Sequence, residues 1–293
     1  MLELEDAVEA PQCCHSSQGC APEPQFAVAE NLCRVVSNQW VNDEYKHLIV
    51  NGPEVALRAQ PGQFFHLACP PDQNGAALLR RPMSLYRVSP HEGTIEFLYK
   101  VQGLGTRGLA GLRAGDTLDA LGPVGRGFTV PASAGHILLL ARGVGLATLT
   151  PLADWARSKG VSVTAVLSAR SEGLVMSADY LKEAGANVLI VTDEDGTSQV
   201  DHVEALIRST HAARGLDYVA TCGSNRLLQL LQRITADLDV PGQIALEQHM
   251  GCALGACFAC VRPFRKQADT QDLTYRRVCW EGPVFDLQET VSW

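Results

Sequence analysis

The sequence lacks any long apolar run. No stretch approaches the roughly 18 consecutive apolar residues that a membrane-spanning helix requires. Its start, Met1 to Ala10, is acidic and has neither the basic beginning nor the apolar core of a secretory signal peptide. We therefore expect neither a membrane span nor a secretory signal.

Positive charge is also scarce. Lys and Arg number 24 against 32 Asp and Glu, which gives a formal net charge of −8. Because nucleic-acid binding needs a basic surface, we expect no nucleic-acid partner. The rest of the composition is that of an ordinary globular protein, with 46% hydrophobic and 19% charged residues. At 293 residues the chain is long enough for two or three domains.

A disulfide framework is missing, although the chain has 10 cysteines. Four of them form one spaced group near the end, and the other six show no regular disulfide spacing. Cys33 and Cys69 are expected to be small buried residues of a β domain. The pattern favours a reducing cytoplasm.

The spaced group is Cys252-Ala-Leu-Gly-Ala-Cys257-Phe-Ala-Cys260, with Cys279 nineteen positions later. This C-x4-C-x2-C run with a distant fourth cysteine is the plant-type arrangement for a [2Fe–2S] cluster, in which four thiolates hold two irons. Gly251 and the small residues inside the run let backbone amides approach the sulfurs. The alternative is a structural zinc site, but zinc ribbons normally have two C-x2-C pairs. The spacing therefore predicts a one-electron carrier.

Residues 1–25 show no sustained hydrophobic period, so we expect a disordered or loosely packed tail. This tail contains Cys13, Cys14, His15 and Cys20, which could form either a metal clip or a set of mobile thiols. We assign no site there.

Residues 26–131 have the pattern of an all-β domain. Short β-prone runs alternate with turn signals such as Asn51-Gly52-Pro53 and Pro61-Gly62. Strands at this spacing predict a small closed antiparallel barrel. The expected strands are Phe26–Val36, Tyr45–Val50, Gln63–Leu67, Met83–Val88, Thr94–Val101 and Thr117–Leu121.

Residues 132–241 have a different pattern, in which strands and helices alternate. The apolar run Ile137–Ala141 is typical of a buried parallel strand. Further strands are expected at Val161–Leu167, Asn187–Thr192 and Tyr218–Cys222. Alternation of this kind predicts a doubly wound parallel sheet. We expect residues 242–293 to form a separate small domain around the cysteines.

Two stretches of the barrel are candidate cofactor-binding motifs. In Arg81-Pro82-Met83-Ser84, the arginine can bind phosphate and the serine can offer its hydroxyl to a bound ring. In Tyr99 to Thr106, the glycines free backbone N–H groups at the start of a helix, which makes an anion cradle. Taken alone, the first stretch favours an exposed arginine pair before a turn, and the second is also compatible with a plain Gly-rich turn.

A third stretch, Ala141-Arg142-Gly143-Val144-Gly145, follows the buried strand and opens a helix. That context suits a dinucleotide-phosphate loop, although the low glycine count also fits an ordinary β–α turn. Two later strand ends, Asp193 to Gly196 and Cys222 to Asn225, support the loop, because ligands of doubly wound sheets gather at the carboxyl ends of strands.

Taken in order, these stretches, together with Leu121 to Phe128, resemble the ferredoxin–NAD(P) reductase superfamily. The residues that flank the cysteines, Leu246 to Met250 and Arg277 to Phe285, resemble more narrowly the electron-transfer subunits of class 1B dihydroorotate dehydrogenases. The resemblance runs from about residue 26 to 288.

This resemblance implies the cofactors and their residues. FAD would be bound by Arg81, Pro82, Met83, Ser84, Tyr99, Lys100, Val101, Gly105 and Thr106. NAD would be bound by Gly143, Gly145, Cys222 and Gly223, with Cys222 beside the nicotinamide as the candidate catalytic residue. The iron would be held by Cys252, Cys257, Cys260 and Cys279.

Arg142 departs from the family pattern, and Arg170 leaves open which nucleotide is bound. Arg142 occupies a position that is usually glycine, where it could contact a phosphate or crowd its approach. Arg170, after the second strand of the nucleotide domain, could attract a 2′-phosphate or be solvated, so NAD and NADP both remain possible.

The resemblance also implies the direction of electron flow. Electrons would leave the flavin of an FMN-containing catalytic dehydrogenase subunit, pass through the cluster and FAD, and reduce NAD⁺, within a heterotetramer that oxidises dihydroorotate to orotate. One alternative is the same cofactor relay serving a sulfide or ferredoxin:NADP oxidoreductase or a hydrogenase. A more distant one is a non-catalytic zinc-bearing regulatory protein.

Overall fold

The computed structural model describes residues 27–268 and 270–293. The predicted tail of residues 1–25, with Cys13, Cys14, His15 and Cys20, lies outside the described residues. No helix in the two described ranges is long and apolar enough to cross a membrane.

Seven antiparallel strands form the first sheet. They are β1 (Ala29–Trp40), β2 (Tyr45–Asn51), β3 (Phe64–Leu67), β4 (Arg81–Ser84), β5 (Arg87–Ser89), β6 (Thr94–Lys100) and β7 (Thr117–Val124). Their order is β4-β3-β7-β1-β2-β6-β5. This confirms the predicted antiparallel barrel as a curled sheet, with a short helix α1 (Glu54–Leu57) between β2 and β3.

The expected closure of the barrel takes a different form. The sequence predicts one strand at Met83–Val88. In the structure the two ends of this run belong to different strands, β4 and β5, which lie at opposite ends of the sheet order. The chain changes partner at the junction, because Leu85 N donates to Gln63 O and Tyr86 N donates to Glu96 O. The barrel is therefore closed by the chain itself, and not by a continuous hydrogen-bond ladder.

Helix α2 (Leu104–Ala110) packs across the strands at one end of this sheet. Its close approach depends on Gly108, where an added Cβ would lie 1.8 Å from the Pro70 carbonyl oxygen. Leu109 of the same helix is fully buried in the barrel core with Leu48, Phe65 and Phe97. A residue without a side chain is therefore required at position 108 for the helix to lie against the backbone of Pro70, in the loop after β3.

The second sheet is the predicted doubly wound parallel sheet. Its parallel strands are β8 (His136–Arg142), β9 (Ser162–Ala169), β10 (Asn187–Thr192), β11 (Tyr218–Cys222) and β12 (Gly242–Ala245), in the order β10-β9-β8-β11-β12. The helices are α3 (Leu146–Lys159), α4 (Ala178–Glu183), α5 (Val200–Arg214) and α6 (Asn225–Leu238), with 3-10 turns at Gly143–Gly145 and Glu172–Leu174.

Alternate residues of β8 show why helices cover both faces of this sheet. Leu138 and Leu140 pack into the core that contains residues of α5 and α6. Ile137 and Leu139 pack into the other core, with α3 and α4. Because successive side chains of a strand point to opposite faces, the continuous apolar run supplies both cores.

The C-terminal segment adds a hairpin and one more strand. Strands β13 (Val261–Arg265) and β14 (Leu273–Arg277) form the hairpin, helix α7 (Val278–Glu281) follows, and β15 (Val284–Asp286) pairs antiparallel with β12. The parallel sheet thus continues beyond residue 241, where the sequence places the start of the cluster segment. That segment begins and ends as strands of the nucleotide-domain sheet.

Replacing Gly108 tests the docking of α2. We expect Gly108→Ala to lower the free energy of unfolding by about 1–3 kcal/mol, because the helix must move away from Pro70 to make room for the methyl group. Urea unfolding curves would measure the loss. The matched control is Gly173→Ala, where an added Cβ meets nothing within 4 Å. Equal stability of the two variants would contradict the close approach.

Candidate functional site

The four predicted cluster cysteines come together through the C-terminal hairpin. Cys252, Cys257 and Cys260 lie in the loop between β12 and β13, and Cys279 lies in α7. The register of the hairpin pairs Val261 with Arg277, which brings the start of α7 beside the end of the loop. As a result, Cys279 N donates to Cys260 Sγ at 3.4 Å across 19 residues of sequence.

The cysteines are arranged as two pairs. The pKa of Cys257 is lowered, mainly by the backbone amide of Ala259 and then by the Cys252 side chain. The Cys279 side chain lowers the pKa of Cys260 to about 6, and the same contact raises that of Cys279. In residues 27–268 and 270–293, no group of three or more His, Cys, Asp or Glu side chains lies close enough to hold a metal ion. Two thiol pairs suit two irons, so the residues fit a [2Fe–2S] cluster.

The backbone of the cysteine loop is shaped for contact with sulfur. Leu254 N and Cys257 N both donate to Cys252 Sγ, each at 3.4 Å. A Cβ at Gly251 would lie 3.1 Å from Cys257 Sγ, so a side chain there would require the sulfur to move by a few tenths of an ångström. Ala253 and Phe258 each have φ of +59°, which is unfavourable for residues with a side chain. Such strain of about 1–3 kcal/mol per residue is typical of functional loops.

Arg277 joins the two parts of the cluster site. Its Nη1 donates to Gly255 O at 3.1 Å, and its Nη2 donates to Glu281 Oε1 at 2.7 Å. Its guanidinium also lies 5.4 Å from the centre of the Phe258 ring. The Glu281 carboxylate raises the pKa of Arg277. This arginine was not predicted as a site residue, because its partners are 19 to 22 residues away or lie in the following helix.

The predicted FAD residues meet where β4 approaches α2. A Cβ at Gly105 would lie 3.0 Å from Arg81 Cγ and 3.2 Å from Cys69 Sγ, so the helix start and the arginine are in contact. The neighbouring Arg80 is held differently, because its Nη2 pairs with Asp119 Oδ2 at 2.5 Å. Arg81 Nη1 donates to the Leu79 carbonyl oxygen at 2.6 Å, and no carboxylate of the described chain pairs with it. Arg81 is thus the arginine of the pair whose charge is not neutralised.

The remaining FAD candidates lie at different depths. Tyr99 is only 1% exposed in the barrel core and donates to Asn38 Oδ1 at 3.0 Å. Thr106 Oγ1 accepts from Gln102 N and Gly103 N, and so caps the start of α2. Lys100 Nζ pairs with Glu44 at 2.8 Å. The half-buried members of the set are Pro82, Met83, Ser84 and Val101.

The predicted nucleotide residues meet at the carboxyl ends of β8 and β11. A Cβ at Gly145 would lie 2.7 Å from Cys222 O and 3.3 Å from Gly223 Cα, so the two strand ends touch through their backbones. Gly143 has φ of +55° and Gly223 has φ of +91°, both of which favour glycine. The structure therefore brings the four nucleotide candidates together at one edge of the sheet.

A buried threonine links Ser84, a predicted FAD residue, to Cys222, a predicted nicotinamide residue. Thr148 Oγ1 donates to Ser84 Oγ at 2.8 Å, and Cys222 Sγ donates to Thr148 Oγ1 at 3.6 Å. Burial, followed by the charge of Glu247, strongly raises the pKa of the Cys222 thiol. Thr148 lies in the first turn of α3 and belongs to no motif, so no sequence signal could have identified it.

Arg142 and Arg170, whose roles the sequence leaves undecided, are each paired with a carboxylate. Arg142 Nη2 donates to Asp193 Oδ2 at 2.6 Å and its Nη1 donates to Ser168 Oγ at 2.9 Å, across the carboxyl ends of three strands. This contact, the largest among several, lowers the pKa of Asp193 to about 2. Arg170 is hydrogen-bonded to Glu44 of the barrel. A cavity of about 460 Å³ lies between the loop that carries Glu44 and residues 170–174.

Solved structures with the same fold include reductases. This chain matches an NADH-dependent reduced ferredoxin-NADP oxidoreductase with a TM-score of 0.73 and 26% identity, over 88% of this chain and 89% of the other. A ferredoxin reductase of carbazole 1,9a-dioxygenase matches over 74% of this chain and 68% of its own, with a TM-score of 0.61 and 18% identity. The second likeness shows the fold alone.

Sequence comparisons identify the family. Residues 247–291, which include the four cluster cysteines, match the family model for the iron–sulfur cluster binding domain of dihydroorotate dehydrogenase B. The electron transfer subunit of dihydroorotate dehydrogenase B (NAD(+)) from Desulforamulus reducens is 32% identical over 82% of this chain and 90% of its own length. The same subunit from Bacillus cereus (strain 03BB102) is 34% identical over 88% and 96%.

These matches confirm the expected cofactor set, an iron–sulfur cluster with a flavin and a nicotinamide nucleotide, at the level of the family and the fold. They also confirm electron transfer as the activity of an oxidoreductase subunit. The chain belongs to the family of dihydroorotate dehydrogenase B electron transfer subunits.

Proposed function

We propose that this chain passes electrons from the flavin of a partner dehydrogenase through a [2Fe–2S] cluster and FAD to NAD⁺, during the oxidation of dihydroorotate to orotate. The observation that carries the proposal is the combined site: two thiol pairs, a flavin-side Arg81 and Ser84, and the nucleotide edge at Gly145 and Gly223, all in one chain. The relatives named above support dihydroorotate as the partner's substrate.

The cofactor set follows from electron counting. A nicotinamide exchanges two electrons as hydride, a [2Fe–2S] cluster exchanges one, and a flavin when bound can do both. The chain's own residues hold and orient these groups. In this proposal Arg81 and Gly105 bind the FAD pyrophosphate, and Gly143 and Gly145 face the nucleotide phosphates. No acid or base of this chain needs to reach dihydroorotate, because the partner subunit oxidises it.

The surface beside the cysteines is where we place the partner. Phe258 is 62% exposed and Leu254 is 42% exposed, and both lie inside the cysteine loop. A partner that docks on this loop would cover both apolar side chains. Docking the FMN-containing subunit here would bring its flavin near the cluster. A heterotetramer in the cytoplasm is the assembly that we propose.

One specific observation favours a second candidate. The likeness to an NADH-dependent reduced ferredoxin-NADP oxidoreductase covers most of both chains, so the same relay could serve a different partner. The zinc-bearing regulatory alternative has less support, because the family model that matches residues 247–291 is an iron–sulfur cluster binding domain. A visible absorption spectrum with flavin bands and iron–sulfur shoulders would exclude zinc.

Reconstitution with a partner tests the choice between partners. We expect the purified protein, loaded with FAD and cluster, to support dihydroorotate-dependent reduction of NAD⁺ when it is mixed with an FMN-containing dihydroorotate dehydrogenase subunit. Formation of NADH would be followed by its absorbance. No reduction, with both cofactors present and the partner active on an artificial acceptor, would reject this partner.

The route through the cluster can be tested at Cys279. We expect Cys279→Ser to abolish partner-driven reduction of NAD⁺, since one iron loses a thiolate ligand. Reduction of the bound flavin by NADH should continue, because that step does not need the cluster. The control is Cys33→Ala, a buried thiol of the barrel core, which should keep both activities. Unchanged partner turnover in Cys279→Ser would disprove the route.

The choice of nucleotide depends on the pairing of Arg170. Because Glu44 contacts this arginine, the guanidinium is not free to bind a 2′-phosphate, and we propose that NAD is the nucleotide used. The pKa of Glu44 is lowered, first by Lys100 and then by Arg170, so the carboxylate stays charged at neutral pH.

Removing the negative charge of Glu44 should change the preference between NADH and NADPH. We expect Glu44→Gln to lower the KM for NADPH by about tenfold, the scale of one charge-assisted hydrogen bond, with little change for NADH. Steady-state reduction of an artificial acceptor by each nucleotide would measure this. Glu54→Gln, on the exposed helix α1, is the matched control. If the two variants behave alike, Arg170 does not select the nucleotide.

A further inference from the structure

We infer that Thr148 is a positioning residue that turns the hydroxyl hydrogen of Ser84 toward the bound flavin. The inference rests on the proposed function, in which Ser84 lies against the flavin ring. Thr148 itself would touch neither cofactor. It would act by fixing the direction of a hydrogen bond that the flavin receives.

The threonine is placed where three elements meet. It belongs to α3, while Ser84 belongs to β4 of the barrel and Cys222 ends β11 of the parallel sheet. Only 2% of Thr148 is exposed, and Cys222 is equally enclosed at 1%. The 2.8 Å bond from Thr148 Oγ1 to Ser84 Oγ therefore crosses the boundary between the two domains, from an enclosed threonine to a half-buried serine.

The helix offers Thr148 another partner, which it does not use. A threonine inside a helix commonly donates to the carbonyl oxygen four residues earlier. Thr150 does so, with its Oγ1 donating to Leu146 O at 3.0 Å. Thr148 instead donates its single hydroxyl hydrogen to Ser84, 64 residues away in the sequence.

This arrangement fixes the order of donors and acceptors. A hydroxyl has one hydrogen to donate and two lone pairs that accept. Cys222 Sγ donates to Thr148, and Thr148 donates to Ser84, so the hydrogen of Ser84 must point elsewhere. In the described part of the chain Ser84 Oγ donates to no protein acceptor, and the residue is half-buried at the flavin side. Its hydrogen is available for a ligand.

Cys222 determines the direction of both hydrogen bonds, because it donates to Thr148 and Thr148 then donates to Ser84. Burial raises the pKa of its thiol far above neutral, so the group remains S–H and can donate to Thr148. A thiolate would accept the hydrogen of Thr148 and reverse both bonds. In the observed order, Ser84 offers a donor to the flavin ring. With FAD bound, a donor at an acceptor atom of its ring would stabilise the negative charge that reduction places on the ring. It would thereby favour transfer of hydride from NADH to the flavin, which is the reverse of the step in the proposed function.

The test compares Thr148→Val, which keeps the shape and removes the hydroxyl, with Thr148→Ser, which keeps the hydroxyl. In the FAD-loaded protein we expect Thr148→Val to slow reduction of the flavin by NADH about tenfold, the scale of one hydrogen bond. The flavin midpoint potential should fall as well, while the KM for NADH stays unchanged. Thr148→Ser should restore the rate to within about twofold of wild type. Anaerobic stopped-flow absorbance and a redox titration give these values.

Two further variants separate positioning from packing. Thr150→Val removes the neighbouring hydroxyl that stays within the helix, and should leave the flavin potential unchanged. In a Ser84→Ala background, Thr148→Val should have no further effect on rate or potential, since the bond that it removes is already gone.

The outcomes distinguish the inference from the function on which it rests. The inference is overturned if Thr148→Val reduces as fast as wild type, if Thr148→Ser does not restore the rate, or if the two substitutions act additively. The proposed function fails instead if wild-type protein loaded with FAD is not reduced by NADH at all.

Discussion

The pairing of β12 with β15 is the interaction on which the arrangement of this molecule depends. It makes the first and last parts of the cluster segment into strands of the nucleotide-domain sheet, with Leu246 N donating to Pro283 O at 2.9 Å. Arg126 N, in the loop after the barrel's last strand, donates to Gly282 O at 2.6 Å. All three parts of the chain therefore meet at one short segment. An electron relay needs its carriers at constant separation, and these backbone bonds supply that constraint.

The cluster site shows how a metal-binding loop is prepared by the protein. Backbone amides point at Cys252 and Cys260, and the pKa values of Cys257 and Cys260 are lowered, while the contact with Cys260 raises the pKa of Cys279. The loop has unfavourable backbone angles at Ala253 and Phe258, as expected where function and not stability determines the conformation. Arg277 offsets part of that cost by bonding the loop to the segment that carries Cys279.

At the nucleotide edge, the positive charge of an arginine does not by itself identify a phosphate-binding residue. Arg142 and Arg170 both stand where a phosphate could be bound, yet Asp193 and Glu44 pair with them. A paired arginine has less charge to offer an anion, so the same residue has a different chemical role once its partner is known. Neither carboxylate is a neighbour in sequence: Asp193 is 51 residues from its arginine and Glu44 is 126 residues from its own.

The sequence by itself determined the features that depend on local order. Cysteine spacing indicated the cluster, and hydrophobic period indicated most strands and helices and both sheets, because these patterns act over a few residues. Only the tertiary structure decided which segments join across domains. It split the run at Met83–Val88 between two strands, added β12 and β15 to the parallel sheet, and placed Thr148 between Ser84 and Cys222. Such contacts leave no periodic signal, since each joins single residues that folding brings together from distant parts of the chain.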